Sequence, residues 1–134
     1  MSICQDILKV DSGNQEAIIG MVLAITDQFG QSSGARINQA LELIPQLENE
    51  YDRDYYTGII YEREAKARLN RRYPGVEYDA YDMLRDAMDW FEKADDLRPV
   101  CNEDARLRWN ACARIAMDQN LTSRPRTELE QPLE

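Results

Sequence analysis

Apolar residues recur along most of this chain at the spacing of an α-helix, and no stretch alternates as a strand does. A short first stripe consists of Ile3, Ile7, Leu8 and Val10. A clearer stripe follows, made of Ile18, Met21, Val22 and Ile25. Its i, i+3, i+4, i+7 spacing predicts a helix with one buried face. Ser12 and Gln15 lie between the two stripes and predict a capping box for the second helix.

The middle of the chain predicts two further helices separated by turn residues. The first carries Ile37, Ala40, Leu41 and Ile44 on one face. Pro45 either ends this helix or kinks it, because proline lacks an amide hydrogen and its ring clashes with the preceding turn. The second runs from Tyr51 to about Arg72, with many charged residues, and Tyr73-Pro74-Gly75 closes it as a turn.

Two more helices are predicted towards the C-terminus. Asp79 is the expected cap of the first, whose apolar face consists of Leu84, Ala87, Met88, Phe91 and Ala94. Asn102 is the expected cap of the second, and Trp109 is expected on its buried face together with Cys112, Ala113 and Ala116. The pattern as a whole predicts an all-α domain of about five or six helices over residues 1–119. Residues 120–134 are predicted to form a polar, disordered tail.

The composition narrows the possible partners. The 134 residues carry a formal net charge of −9, from 25 acidic and 16 basic side chains. This balance argues against nucleic acid and against anionic membranes as partners. No run approaches the roughly 18 apolar residues that span a bilayer, and the N-terminus has no signal-peptide pattern. Three scattered cysteines favour a reducing compartment, so we expect a cytoplasmic protein.

The sequence offers little for catalysis. It contains no histidine, which removes the usual general base and the commonest zinc ligand. The cysteines show no C-x-x-C spacing. Acidic residues such as Asp82, Asp86 and Asp89 fall near one helical face, where a solvated surface is the simpler interpretation. We therefore predict no enzymatic activity, no metal site and no cofactor.

One segment resembles a known family. Ala87, Phe91, Ala94, Leu97 and Pro99 have the spacing of the second helix of a tetratricopeptide repeat. Two upstream segments, which end at Ser12 and Pro45, resemble the same helix more weakly. Their ends are 33 positions apart, close to the roughly 34-residue period of such repeats. The 54 positions from Pro45 to Pro99 require an insertion. The resemblance implies antiparallel helix pairs in a short right-handed superhelical array.

The resemblance also implies a function in binding proteins. Such arrays form a groove that takes a peptide or a helix of a partner. In the last helix, Arg106, Asn110 and Arg114 form a polar stripe, and in one register Arg106 and Asn110 match residues that grip a peptide carboxylate in some family members. The alternative is that Arg106 and Arg114 pair with local carboxylates such as Glu103 and Asp104, or with the C-terminal tail.

Self-association is the second hypothesis. The stripe that includes Ile3 and Ile7 resembles a second helix whose partner helix is missing from the chain. An apolar face of that kind needs a cover. A homodimer formed through this unpaired N-terminal helix, acting as an assembly subunit, would supply it.

Overall fold

The computed structural model of the protein describes residues 14–31 and 35–125, and these residues are helical with no strand. Within these ranges five α-helices follow one another: α1 (Gln15–Thr26), α2 (Ala35–Leu43), α3 (Glu50–Arg71), α4 (Val76–Asp96) and α5 (Asp104–Asp118). Short 3₁₀ turns lie at Phe29–Gln31 and Ile44–Gln46. The predicted all-α class is thereby confirmed. No helix among the described residues is long and apolar enough to cross a membrane.

The first two described helices pack as a pair. All four residues of the predicted stripe in α1 are buried. Asn14 caps α1, because its side chain accepts a hydrogen bond from the Ala17 amide at 2.9 Å. α2 ends at Leu43, and Pro45 lies in the 3₁₀ turn that follows, so this proline terminates the helix. Ser12, Ile3 and Ile7 lie outside the described residues.

α3 is the central helix, since it contributes to two separate apolar clusters. Ile60 packs with residues of α1 and α2, including Val22 and Ala40. Its neighbour Ile59 packs with residues of α4 and α5. Two consecutive residues on a helix point about 100° apart, so one helix serves as a wall of both clusters.

α3 and α4 approach each other closely at Gly58. A Cβ atom added at Gly58 would lie 2.6 Å from the ring of Phe91. Phe91 is fully buried, and so are Ala87 and Ala94 beside it on α4. Glycine and alanine at these positions let the two helix backbones come near, and the phenylalanine ring fills the space between them. Pro99, predicted with the same core set, is exposed in the loop after α4.

The start of α4 differs from the prediction. The helix begins at Val76, with Gly75 as its cap in a left-handed conformation (φ 80°), and Asp79 lies one turn inside. Glycine adopts this conformation at little cost, so the chain turns directly from α3 into α4. Asp79 instead accepts hydrogen bonds from the Tyr73 hydroxyl at 2.8 Å and from Arg124 at 3.1 Å. The predicted Asp79 cap is therefore wrong.

The start of α5 also differs slightly. Asn102 does not occupy the cap position, which belongs to Glu103. Its side chain nevertheless accepts a hydrogen bond from the Asp104 amide at 2.9 Å. The predicted polar side chain is thus present, one residue before the cap.

The chain beyond α5 turns back onto the domain. Asn120 adopts φ 54°, and the Leu121 amide donates to the Ala116 carbonyl at 2.8 Å, as in a Schellman motif. Leu121 is buried in the cluster of α4 and α5. Arg124 then stacks over Tyr78 at 5.0 Å. The described part of the predicted tail, through residue 125, is thus packed against the helices, and residues 126–134 lie outside the described range.

Gly58→Ala tests the approach of α3 and α4. Alanine normally favours a helix over glycine by about 1 kcal/mol. Here the added methyl meets a buried ring, so we expect a net loss of about 1–3 kcal/mol in the free energy of unfolding, measured by urea denaturation. Gly30→Ala is the control, because a Cβ there meets nothing within 4 Å. A stabilised Gly58→Ala variant would contradict the close contact.

Candidate functional site

The three residues of the predicted polar stripe lie on the outer side of α5. Arg106, Asn110 and Arg114 are all exposed. Arg106 donates to Asp95 of α4, with 3.3 Å between Nη2 and Oδ2. Asn110 and Arg114 have no side-chain partner within residues 14–31 and 35–125. The expected pairing of these arginines with Glu103 or Asp104 is not formed, and Arg106 is held by α4 instead.

A pocket of about 230 Å³ opens between α4 and α5. Glu92 and Asp95 line it from α4, and Arg106 and Trp109 line it from α5. Trp109 was expected on the buried face of α5, but it is half-buried, with part of the indole packed on the core and part facing this pocket. Ala105 and Cys112 are the buried residues of α5. The pocket therefore combines one aromatic wall with three charged side chains.

Asp95 organises the charges in this pocket. Its Oδ2 atom lies 3.3 Å from Arg106 and 3.5 Å from Arg98. Its Oδ1 atom is buried, yet it accepts no hydrogen bond from any described residue. A buried acceptor without a donor is unfavourable by roughly 1–3 kcal/mol. Thus Oδ2 of Asp95 interacts with two guanidinium groups, whereas Oδ1 has no hydrogen-bond donor among the described residues.

Apolar side chains accompany the polar stripe on α5. Leu107 is 59% exposed and Met117 is 72% exposed. Both lie on the side of the helix that faces away from α3 and α4. Exposed apolar side chains on one helix face can contribute to a protein-binding surface together with the polar side chains between them. We call the set Leu107, Asn110, Arg114 and Met117 the outer face of α5.

Sequence inspection missed two buried carboxylates on α3. Glu62 is 1% exposed and forms ion pairs with Lys66 at 3.0 Å and with Arg108 of α5 at 3.6 Å. Its oxygens accept no well-aligned hydrogen bond from the described residues. The i, i+4 spacing of Glu62 and Lys66 in the sequence indicates an ion pair. This spacing does not show whether the pair is exposed or buried.

The second buried carboxylate explains the cluster of cations at the end of α3. Glu64 lies 2.7 Å from Arg68 and 3.4 Å from Arg71. Two more basic residues of α3 also have carboxylate partners: Lys66 pairs with Glu62, and Arg63 lies 2.7 Å from Asp27.

Cys112 lies against Glu62 inside the protein. Burial, followed by the nearby Glu62 carboxylate, raises the pKa of the Cys112 thiol to about 12. A thiol must ionise to act as a nucleophile or a metal ligand. Because the Cys112 thiol stays protonated near neutral pH, we expect it to be unreactive in the folded protein. The described residues also contain no cluster of histidine, cysteine, aspartate or glutamate that could hold a metal ion.

Known proteins give no relative from which a function can be transferred. No family model matches the sequence, and no curated protein or solved structure matches it significantly. The pocket between α4 and α5 and the outer face of α5 are therefore interpreted from their own geometry.

Alkylation tests the environment of the cysteines. Cys101 is exposed and Cys112 is buried, so iodoacetamide is expected to label Cys101 in the native protein and to leave Cys112 unmodified until urea is added. The readout is peptide mass spectrometry. The folded pKa of Cys112 is raised above its ordinary value of 9.0. Stability is therefore expected to fall as pH rises from about 9 towards about 12. Rapid native labelling of Cys112 would contradict its burial.

Proposed function

We propose that the protein is a non-enzymatic protein–protein interaction module, a tetratricopeptide-repeat-like scaffold that binds a peptide or a helix of a partner protein. The observation that carries the proposal is the outer face of α5. It presents two large exposed apolar side chains and two polar side chains that have no partner among the described residues. The pocket lined by Trp109 adjoins this face.

The packing of α3 and α4 supports the repeat-like part of the proposal. In this interpretation α1 pairs with α2, α3 pairs with α4, and α5 is the first helix of a further pair. The small residues Gly58, Ala87 and Ala94 and the ring of Phe91 lie where two helices of one repeat would need close approach. α3 and α4, of 22 and 21 residues, are long enough to hold the insertion that the repeat spacing requires. The right-handed superhelical arrangement belongs to this proposal.

The absence of histidine from the whole sequence supports a role without catalysis. Protein binding needs only an exposed surface of suitable shape and chemistry, with a few aromatic or arginine side chains near its centre. The surface around Trp109 and Arg106 is of this kind.

A structural subunit is the alternative. The exposed Leu107 and Met117 side chains would also suit contact with a second copy of the chain, and the predicted contact residues Ile3 and Ile7 lie outside the described range. Light scattering after size-exclusion chromatography separates the two functions. A dimer that persists on dilution and is lost in Ile3→Glu or Ile7→Glu would favour assembly, and a monomer would favour the binding module.

Affinity capture from the host lysate, followed by titration of the purified partner, tests the proposed function. Leu107→Glu and Arg114→Ala are expected to weaken partner binding by about tenfold or more, because hot-spot residues cost about 1–2 kcal/mol or more when removed. Arg36→Ala is the control, since Arg36 lies on α2 and also has no side-chain partner among the described residues. Full binding by both α5 variants would exclude the outer face of α5 as the binding surface.

A further inference from the structure

The charges of the pocket between α4 and α5 favour a cation. Two carboxylates, Glu92 and Asp95, face a single guanidinium, that of Arg106. Arg106 already interacts with Asp95, and Asp95 also attracts Arg98. A peptide carboxylate entering the pocket would meet two like charges and an arginine whose charge is already matched. A basic side chain would instead pair with Glu92, which has no ion-pair partner among the described residues.

The half-buried Trp109 indole is the aromatic surface of this pocket. Elsewhere in the protein, Lys93 lies 4.3 Å from the centre of the Trp90 ring and Arg124 lies 5.0 Å from that of Tyr78. Among the described residues no cation lies over Trp109. Tryptophan is the best aromatic partner for a cation. The indole therefore stands beside two carboxylates without the cation that such a surface attracts.

The surface next to the pocket has the same charge preference. A row of exposed carboxylates runs along α4, formed by Asp82, Asp86, Asp89, Glu92 and Asp96. Partial burial raises the pKa of Asp86, and the neighbouring carboxylates of Asp89 and Asp82 raise it further. These like charges repel one another in the free protein. Two basic residues lie within this stretch of α4: Lys93, which lies over the Trp90 ring, and the exposed Arg85.

We propose that the pocket between α4 and α5 receives a lysine or arginine side chain of a basic partner peptide, held between Glu92 and the face of Trp109. This inference rests on the proposed binding function and adds the chemistry of the ligand. Further basic residues of the same peptide lie along the carboxylate row of α4. The charge complementarity between a basic peptide and a chain of net charge −9 selects this partner over an acidic or purely apolar one.

Fluorescence anisotropy with three labelled synthetic peptides tests the proposal. The peptides share one sequence of alanine and glycine that carries lysine and arginine, glutamine, or glutamate at the variable positions. The basic peptide is expected to bind the full-length protein most tightly at physiological ionic strength. Glu92→Gln is expected to weaken its binding by about fivefold, the effect of losing roughly 1 kcal/mol. Trp109→Phe is expected to weaken it less, because phenylalanine keeps an aromatic face.

Glu77→Gln is the matched control. Glu77 is exposed in the first turn of α4, far along the helix from Glu92, and its substitution removes the same charge. We expect its effect to stay within about twofold, since exposed charges beyond a Debye length are screened. Equal weakening by Glu92→Gln and Glu77→Gln would show general attraction to an acidic protein and would overturn the pocket.

The remaining outcomes separate this inference from the proposed function. If the glutamine or glutamate peptide binds as tightly as the basic peptide, the basic ligand is excluded while the binding module stands. If the captured partner binds the protein normally and Glu92→Gln leaves its affinity unchanged, the pocket is likewise excluded. Failure of the outer-face variants to affect any partner bears on the proposed function alone.

Discussion

α3 and α4 lie side by side because Gly58 leaves room for the ring of Phe91. This contact sets the separation of the two longest helices, and the buried alanines Ala87 and Ala94 maintain it along α4. With α4 fixed in this way, α5 packs against it and the pocket lined by Glu92, Asp95, Arg106 and Trp109 opens between the two helices. The shape of this pocket therefore depends on Gly58, although Gly58 does not line it.

The central position of α3 also explains the polar groups inside the protein. A helix with apolar neighbours on two sides has little surface left for solvated charges, so Glu62 and Glu64 are buried with cations of α3 and α5 around them. Buried ion pairs add little net stability, but removal of one partner is costly. The pair of Glu62 and Arg108 thus links α3 to α5 at 3.6 Å, and loss of Arg108 would leave the buried Glu62 with Lys66 as its remaining ionic partner among the described residues.

The sequence predicts buried residues correctly for helices that have a single apolar face. The stripes of α1 and α4 are of this kind, and their residues are buried as expected. α3 has two buried sides, and a local pair such as Glu62 and Lys66 looks the same in sequence whether exposed or buried. Asp79 was expected to cap α4 because its side chain suits that position, but the conformation of Gly75 starts the helix earlier. The outer position of Arg106 followed from helical spacing, whereas its partner Asp95 depends on tertiary packing.

Nuclear magnetic resonance titration of the isotope-labelled protein with the basic peptide tests the central claim most directly, because it locates the contact surface. The account predicts that the largest shifts occur at the Trp109 indole, at the Arg106 side chain and at the amides around Glu92 and Asp95. The Trp90 indole, which already carries Lys93, serves as the internal reference. Shifts concentrated in α1 and α2, with the Trp109 indole unchanged, would contradict the account.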